Sequence, residues 1–155
     1  MIRWILKKFD ELTSHELYSI LQLRNEVFVV EQNCVFQDAD NKDQLSWHLM
    51  GWYDEKLIAY TRIIPEGIAY DLPSIGRVVT SPAVRGSGIG KMLMEKSIAA
   101  VEKLFGKVSI KLGAQFYLKE FYQSFGFIQS SDIYPEDGID HIEMIRSISS
   151  LGIGT

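Results

Sequence analysis

Cysteine is all but absent from this chain of 155 residues: Cys34 stands alone, so no intramolecular disulfide can form and a reducing compartment is expected. No apolar run approaches the ~20 residues that a membrane-spanning helix needs. The opening Met1-Ile2-Arg3-Trp4-Ile5-Leu6-Lys7-Lys8 is too short for a secretory leader and reads as a strand. A cytoplasmic protein without a membrane partner is the expectation. Excess positive charge is lacking too. Sixteen Lys and Arg against 20 Asp and Glu give a net charge of -4, which argues against sequence-independent nucleic-acid binding. Repeats, low-complexity tracts and linkers are missing, so residues 1–150 are expected to form one domain and 151–155 a frayed tail. Metal motifs are incomplete: Asp38-x-Asp40 lacks the glycine and the terminal glutamate of an EF-hand loop. The polar segment with Asp38, Asp40 and Asp43 therefore reads as a solvated loop, and no metal is expected.

What is present is globular, with 46% hydrophobic and 23% charged residues. Residues 2–8 read as a strand, and Thr13 with Glu16 forms a capping box that opens a helix. Leu17, Ile20, Leu21, Val27 and Phe28 give that helix its apolar stripe. Arg24 falls on the same stripe and must be paired, because a lone buried guanidinium is very costly. Residues 45–53 and 57–64 read as a hairpin, 74–80 as a strand, 88–104 as a helix ending at Gly106, and 107–112 as a strand. A short helix over 116–125, a strand from Gly126, a turn at Tyr134–Gly138 and a last strand over 140–147 complete the chain. The order β-α-β-β-β-α-β-α-β-β is α/β (α+β): a mixed, mostly antiparallel sheet flanked by helices, with local parallel pairing around both later helices.

The chain is organised around Val78 to Lys91. Ser81-Pro82 stops a strand, Gly86, Gly88 and Gly90 alternate, and a helical pattern begins at Ile89. Without Cβ atoms in the way, backbone N–H groups can converge there at the positive end of a helix, which makes a prepared anion site. A Walker A loop fails twice, since Arg85 stands at the first glycine and Met92 where a hydroxyl is needed. A dinucleotide fingerprint fails because Lys91 or Leu93 stands at its third glycine. What remains is Arg85-x-x-Gly88-x-Gly90, preceded by Val78-x-x-x-Pro82. It resembles the pyrophosphate loop of the GNAT (Gcn5-related) N-acetyltransferases. A plain glycine-rich strand–helix turn is the other reading of the loop taken alone.

Two further stretches carry the same resemblance. Leu112-Gly113-Ala114-Gln115, followed by Phe121-Tyr122-Gln123-Ser124-Phe125-Gly126-Phe127, looks like the family's strand–helix segment ending in Tyr-x-x-x-Gly-Phe. Together with Leu23-Arg24-x-x-Val27-Phe28-Val29-x-Glu31-Gln32-Asn33-Cys34, Gly76-Arg77-Val78 and Glu136-Asp137-Gly138-Ile139-x-His141-Ile142, these motifs are similar to the ElaA group of small GNAT proteins over nearly the whole chain. The resemblance implies an acetyl-CoA co-substrate held by Val78, Val79, Thr80, Arg85, Gly86, Ser87, Gly88, Ile89, Gly90 and Lys91. It places Tyr122 near the sulfur, and Gln115 where many members carry an Asn that touches the pantetheine arm; the change to Gln puts that contact in question. Direct attack by an amine is implied, with Tyr122 as the general acid toward the leaving thiolate. A phenylalanine-like core role is the plainer reading of Tyr122.

Candidate bases are His48, His141 and Glu31. Candidate acceptor contacts are Arg24 and Arg77, the latter set by period-two alternation with Ile75 and Val79. Each also has a structural reading as a paired or hydrogen-bonded residue. His15 reads as structural and Cys34 as a quiet, semi-buried thiol. The expected partner is a small-molecule or peptide amine, with a homodimer possible through a sheet edge. Two rival functions stand beside acetyl transfer: an acyl-CoA-binding sensor without turnover, and a transferase using another acyl-CoA. The pattern from Leu23 to Phe28 faintly resembles the acyl-homoserine-lactone synthases, which share the fold.

Overall fold

A computed structural model describes residues 1–148, so the expected tail at 151–155 lies outside the described residues. The elements run β1 (Ile2–Lys8), α1 (Ser14–Arg24), β2 (Trp47–Tyr53), β3 (Lys56–Ile64), β4 (Ser74–Thr80), α2 (Ile89–Phe105), β5 (Ile110–Gln115), α3 (Lys119–Gln123), β6 (Phe127–Gln129), β7 (Tyr134–Glu136) and β8 (Ile139–Arg146). The sheet order is β1-β2-β3-β4-β5-β8-β6, with β7 paired to β8. All pairs are antiparallel except β4–β5.

Local chemistry explains the boundaries. The Thr13 hydroxyl accepts the Glu16 N–H at 3.0 Å while the Glu16 carboxylate accepts the Thr13 N–H at 2.8 Å, so α1 starts on the expected capping box. Beyond Arg24 the helix widens into a π-helical stretch, Asn25–Glu31. That widening turns Val27, Phe28 and Glu31 toward the middle of the sheet, where they line a cleft. Gly106 ends α2 at φ 85, a left-handed stop that suits glycine.

Three expectations are corrected. The helices around β5 and β6 predicted a parallel β5–β6 pair; instead β8 inserts between them, antiparallel to both. The turn at Tyr134–Gly138 contains a strand, because the Asp137-Gly138 pair, at φ 52 and 79, makes a two-residue hairpin joining β7 to β8. The third concerns β4. Its alternation breaks at Arg77, a left-handed residue at φ 50. Tyr60 pairs with Val79 and Arg62 with Gly76, so Arg77 and Val78 together face Thr61 in a bulge. Ile75 consequently packs in the cluster under α2, with Met94 and Val101, whereas Val79 packs under α1, with Ile20 and Tyr60. Arg77 does not share one face with both neighbours as predicted.

Candidate active site

The site is a gap in the sheet. Strands β4 and β5 pair only at Ser74–Lys111, where the Lys111 N–H donates to the Pro73 carbonyl at 3.0 Å. Past that point the strands part, and β4 turns its unpaired edge into a cleft of about 740 Å³. The glycine bend closes one end of this cleft. Gly86 and Gly88 both sit at φ 82, which only glycine adopts freely. The first helical hydrogen bond of α2 joins the Met92 N–H to the Gly88 carbonyl at 3.2 Å. Ile89, Gly90 and Lys91 are thereby left with N–H groups that have no intrahelical acceptor, at the positive end of a 17-residue helix. Free N–H groups at a helix start suit an anion.

Arg85 and Glu31 face each other across the mouth. The guanidinium grips the carboxylate bidentately, with Nη2 to Oε1 at 2.6 Å and Nη1 to Oε2. The hydrogen bonds and charge of Arg85 hold the Glu31 carboxyl below its ordinary value. Glu31 thus stands in a solvent-exposed ion pair with Arg85. Farther in, Gln115 and Gln32 exchange amide hydrogen bonds at 3.2 and 3.4 Å, bridging the π-helical segment to β5. The Cys34 thiol donates to the Asp137 carbonyl at 3.1 Å and makes a second bridge. The sequence had marked neither bridge, since nothing in Gln32 or Asp137 signals a partner 83 or 103 residues away.

Tyr122 lines the cleft from α3, only 5% exposed, and its hydroxyl has no hydrogen-bond partner among the described residues. Burial, with Tyr117 nearby, pushes its phenol above the ordinary range, so it keeps its proton. His141 also lines the cleft, from β8, paired with Gln115 of β5. Its Nδ1–H donates to the Ile139 carbonyl at 2.8 Å, and Nε2 stands 3.6 Å from the Glu136 carboxylate. The Tyr70 and Tyr134 hydroxyls converge at Gly113, where a Cβ would stand 3.0 and 3.2 Å from them; only glycine leaves the wall open there.

Of the predicted glycine bend, Arg85 and Gly90 line the cleft while Gly86, Ser87, Gly88, Ile89 and Lys91 do not, and one candidate base and one candidate acceptor contact also lie away from it. His48 is fully buried away from it, with Nδ1 2.6 Å from the Tyr60 hydroxyl and Nε2 2.9 Å from the Asp43 carbonyl. Burial lowers its basicity, and both nitrogens are occupied. Arg24 is likewise fully buried and cannot meet a substrate. It belongs to a closed ring of alternating charges that overturns the reading of residues 38–43 as a solvated loop. Arg24 Nε donates to Asp38 at 2.8 Å and Nη1 to Asp43 at 2.8 Å. Arg62 joins Asp43 at 2.9 Å and Asp40 at 2.7 and 2.9 Å. Arg77 reaches Asp38 at 2.9 Å and Asp40 at 3.4 Å, completing the circle. Three guanidiniums neutralise three carboxylates, which lets Asp38 and Asp43 be buried without a cation. Only Arg77 and Asp40 of the ring touch the cleft.

This ring has a pH signature. Burial opposes ionisation of Asp40 and Asp43, but hydrogen bonds and charge from Arg62 and Arg24 outweigh it and hold both carboxyls below the usual range. A depressed folded pKa contributes stability above the unfolded value, about 3.9 for Asp, and loses it as pH falls through the folded value. Urea midpoints are expected to hold above about pH 5 and to fall progressively below pH 4. Asp40→Asn should flatten that decline; an equally steep acid limb in the variant would contradict the assignment.

The chain matches the family model described as an acetyltransferase (GNAT) domain over residues 16–148. It is 43% identical to the protein ElaA of Escherichia coli over 150 residues, which is 96% of this chain and 98% of that protein. The crystal structure of E. coli ElaA superposes with a TM-score of 0.89, covering 95% of this chain and 100% of that one. An acyl-CoA N-acyltransferase from Pseudomonas aeruginosa superposes at 0.91, with 42% identity and coverage of 95% and 100%. An aminoglycoside 6'-N-acetyltransferase crystallised with coenzyme A shares the fold at a TM-score of 0.68 and 16% identity, covering 93% and 97%. By its parted sheet, its glycine bend at a helix start and these likenesses, the chain belongs to the GNAT acetyltransferase family.

Proposed function

We propose that the chain is an acetyl-CoA-dependent N-acetyltransferase that passes the acetyl group directly to an amine. The observation that carries this reading is the cleft itself: two parallel strands that part beside a glycine-rich helix start. The N–H groups of the Gly86–Lys91 bend take the pyrophosphate of the co-substrate. Lys91 adds charge, and Arg85 adds more if it leaves Glu31. The parted edge of β4 receives the pantetheine arm, and the N–H of Val78 or Val79 donates to the thioester carbonyl as negative charge builds on its oxygen. A coenzyme A complex in a relative of the same fold, and an acyl-CoA N-acyltransferase at 42% identity, support the choice of ligand.

The proton route uses two side chains of the cleft lining, His141 and Tyr122. A lysine-like amine has a pKa near 10.4, so supplying its free base at pH 7 costs about 3.4 units, or roughly 4.6 kcal/mol. His141, whose Nδ1 is engaged by the Ile139 carbonyl, takes the amine proton at Nε2, directly or through water. The amine nitrogen bonds to the carbonyl carbon, the carbon–sulfur bond breaks, and the electron pair leaves on sulfur. Tyr122 donates to that thiolate. The products are the N-acetyl amine and CoA thiol.

Thiol release from acetyl-CoA across polyamines, amino acids, aminoglycosides and lysine peptides tests the reaction. Turnover is expected with one class, and binding without turnover for any of them favours the sensor reading instead. Tyr122→Phe is expected to lower kcat by about 10²-fold while leaving CoA affinity within a few-fold. A wild-type rate would return Tyr122 to the aromatic core it shares with Phe121 and Phe127.

A further inference from the structure

The bulge in β4 sits at a residue that does not favour it. A left-handed backbone is uncommon for arginine and persists where the surroundings over-determine it. Arg77 is held on two sides. Its Nε donates to the Asp38 carboxylate at 2.9 Å, its Nη2 to the Asp38 carbonyl at 2.9 Å, and Nη2 also to Asp40 at 3.4 Å. Asp38 and Asp40 are themselves fixed by Arg24, from α1, and Arg62, from β3. The ring thus ties the otherwise irregular segment 35–42 to a helix, to the strand beside the bulge and to the bulge itself.

What the bulge does is visible in the packing. It sends Ile75 and Val79 to opposite faces of the sheet, leaves Arg77 and Val78 facing Thr61 together, and begins just after the last β4–β5 pair. If Arg77 relaxed to an extended backbone, the two-residue alternation would return and the register beyond it would slip by one. Val79 would leave its place beside Ile20 and Tyr60, and the N–H groups facing the cleft would change identity.

We propose that Asp38 and Asp40 are positioning residues: by clamping Arg77 in the left-handed conformation, the charged ring holds the β4 bulge and so aims the backbone N–H that meets the acyl carbonyl. The acyl half of this inference rests on the reading given under Proposed function; the clamping half does not. Asp38 acts from behind the strand and meets no substrate. Asp40 reaches the cleft wall, but its bonds run to Arg62, to Arg77 and to the Lys42 N–H.

The test uses Asp38→Asn, Asp40→Asn and, as a variant that removes the clamp yet tolerates the φ angle, Arg77→Gly. Native-state amide exchange is followed at Gly76 and Val79, which flank the bulge, and at Ile142 and Met144 in β8. In parallel, the infrared carbonyl band of bound [1-13C]acetyl-CoA reports the hydrogen bond to the thioester. Relative to the β8 amides, Gly76 and Val79 are expected to exchange at least about tenfold faster in Asp40→Asn and Arg77→Gly. The carbonyl red shift should shrink while CoA affinity changes by less than about threefold. Equal acceleration at both places would reduce the ring to general stability and overturn the proposal, as would protected flanking amides with an unchanged carbonyl band. Should Asp38→Asn fail to fold, the other two variants decide. If the wild-type protein binds no thioester, the acyl-CoA reading falls while the exchange comparison still decides the clamp.

Discussion

Arg24→Leu is expected to lower the free energy of unfolding by about 3–5 kcal/mol, the range found when one partner of a buried ion pair is removed. The side chain has no exposure and supplies Asp38 with one of its two guanidinium partners and Asp43 with one of its two. Leucine suits both the helix and its neighbours Ile20 and Leu23, so helix propensity is nearly unchanged and the loss falls on the stranded carboxylates. A domain of this size has about 5–15 kcal/mol in total, so at least about a fifth of its stability is at stake. Urea unfolding should show a lower midpoint with a similar slope. A loss under about 1 kcal/mol would mean that the ring relaxes around the hole and contributes little.

Gly88→Val carries the second large effect, on binding. A Cβ at Gly88 meets nothing within 4 Å, so the damage does not come from a clash within the chain. It comes from the backbone: φ is 82, where an L-residue loses roughly 1–2 kcal/mol and a β-branched one more. Relief of that strain rotates the peptide groups that open α2 and scatters their N–H groups. Affinity for CoA is expected to fall at least about tenfold, the equivalent of 1.4 kcal/mol. Gly67→Val is the matched control: φ is 88, its surroundings are equally open, and it caps no helix, whereas Gly88 is the N-cap of α2. It should cost similar stability with CoA affinity unchanged. Equal affinity losses in both variants would separate the bend from the ligand.

The sequence made the local chemistry readable. The capping box, the glycine bend and the C-terminal glycine of α2 each act within a few residues of themselves, and each formed where the pattern placed it. The sheet's mixed character also followed, because an α2 crossover forces β4 and β5 parallel. What stayed hidden depends on long-range pairing. The insertion of β8 between β5 and β6 is a choice between strands that look alike in hydrophobicity. The bulge at Arg77 was hidden because an arginine between Gly76 and Val78 reads as one more alternating residue. The ring was hidden for the same reason. Asp38, Asp40 and Asp43 look solvated until Arg24, Arg62 and Arg77 are known to converge on them from three separate elements. In the cleft, Tyr122 and His141 were found by motif and by residue type; Gln32, Tyr70 and Tyr134 offered no pattern. His48 misled because a histidine at the start of a strand gives no sign of which face it will take.

The central claim is that the gap between β4 and β5 is the acyl-CoA site, and an NMR titration of the wild-type protein with acetyl-CoA tests it most directly. Saturable one-to-one binding is expected, with amide shifts concentrated in residues 86–91 and 76–79 and the Tyr122 ring perturbed. Shifts centred elsewhere, such as the Arg3, His15 and Trp52 hollow on the far side of β2, or no saturation at millimolar ligand, would contradict it.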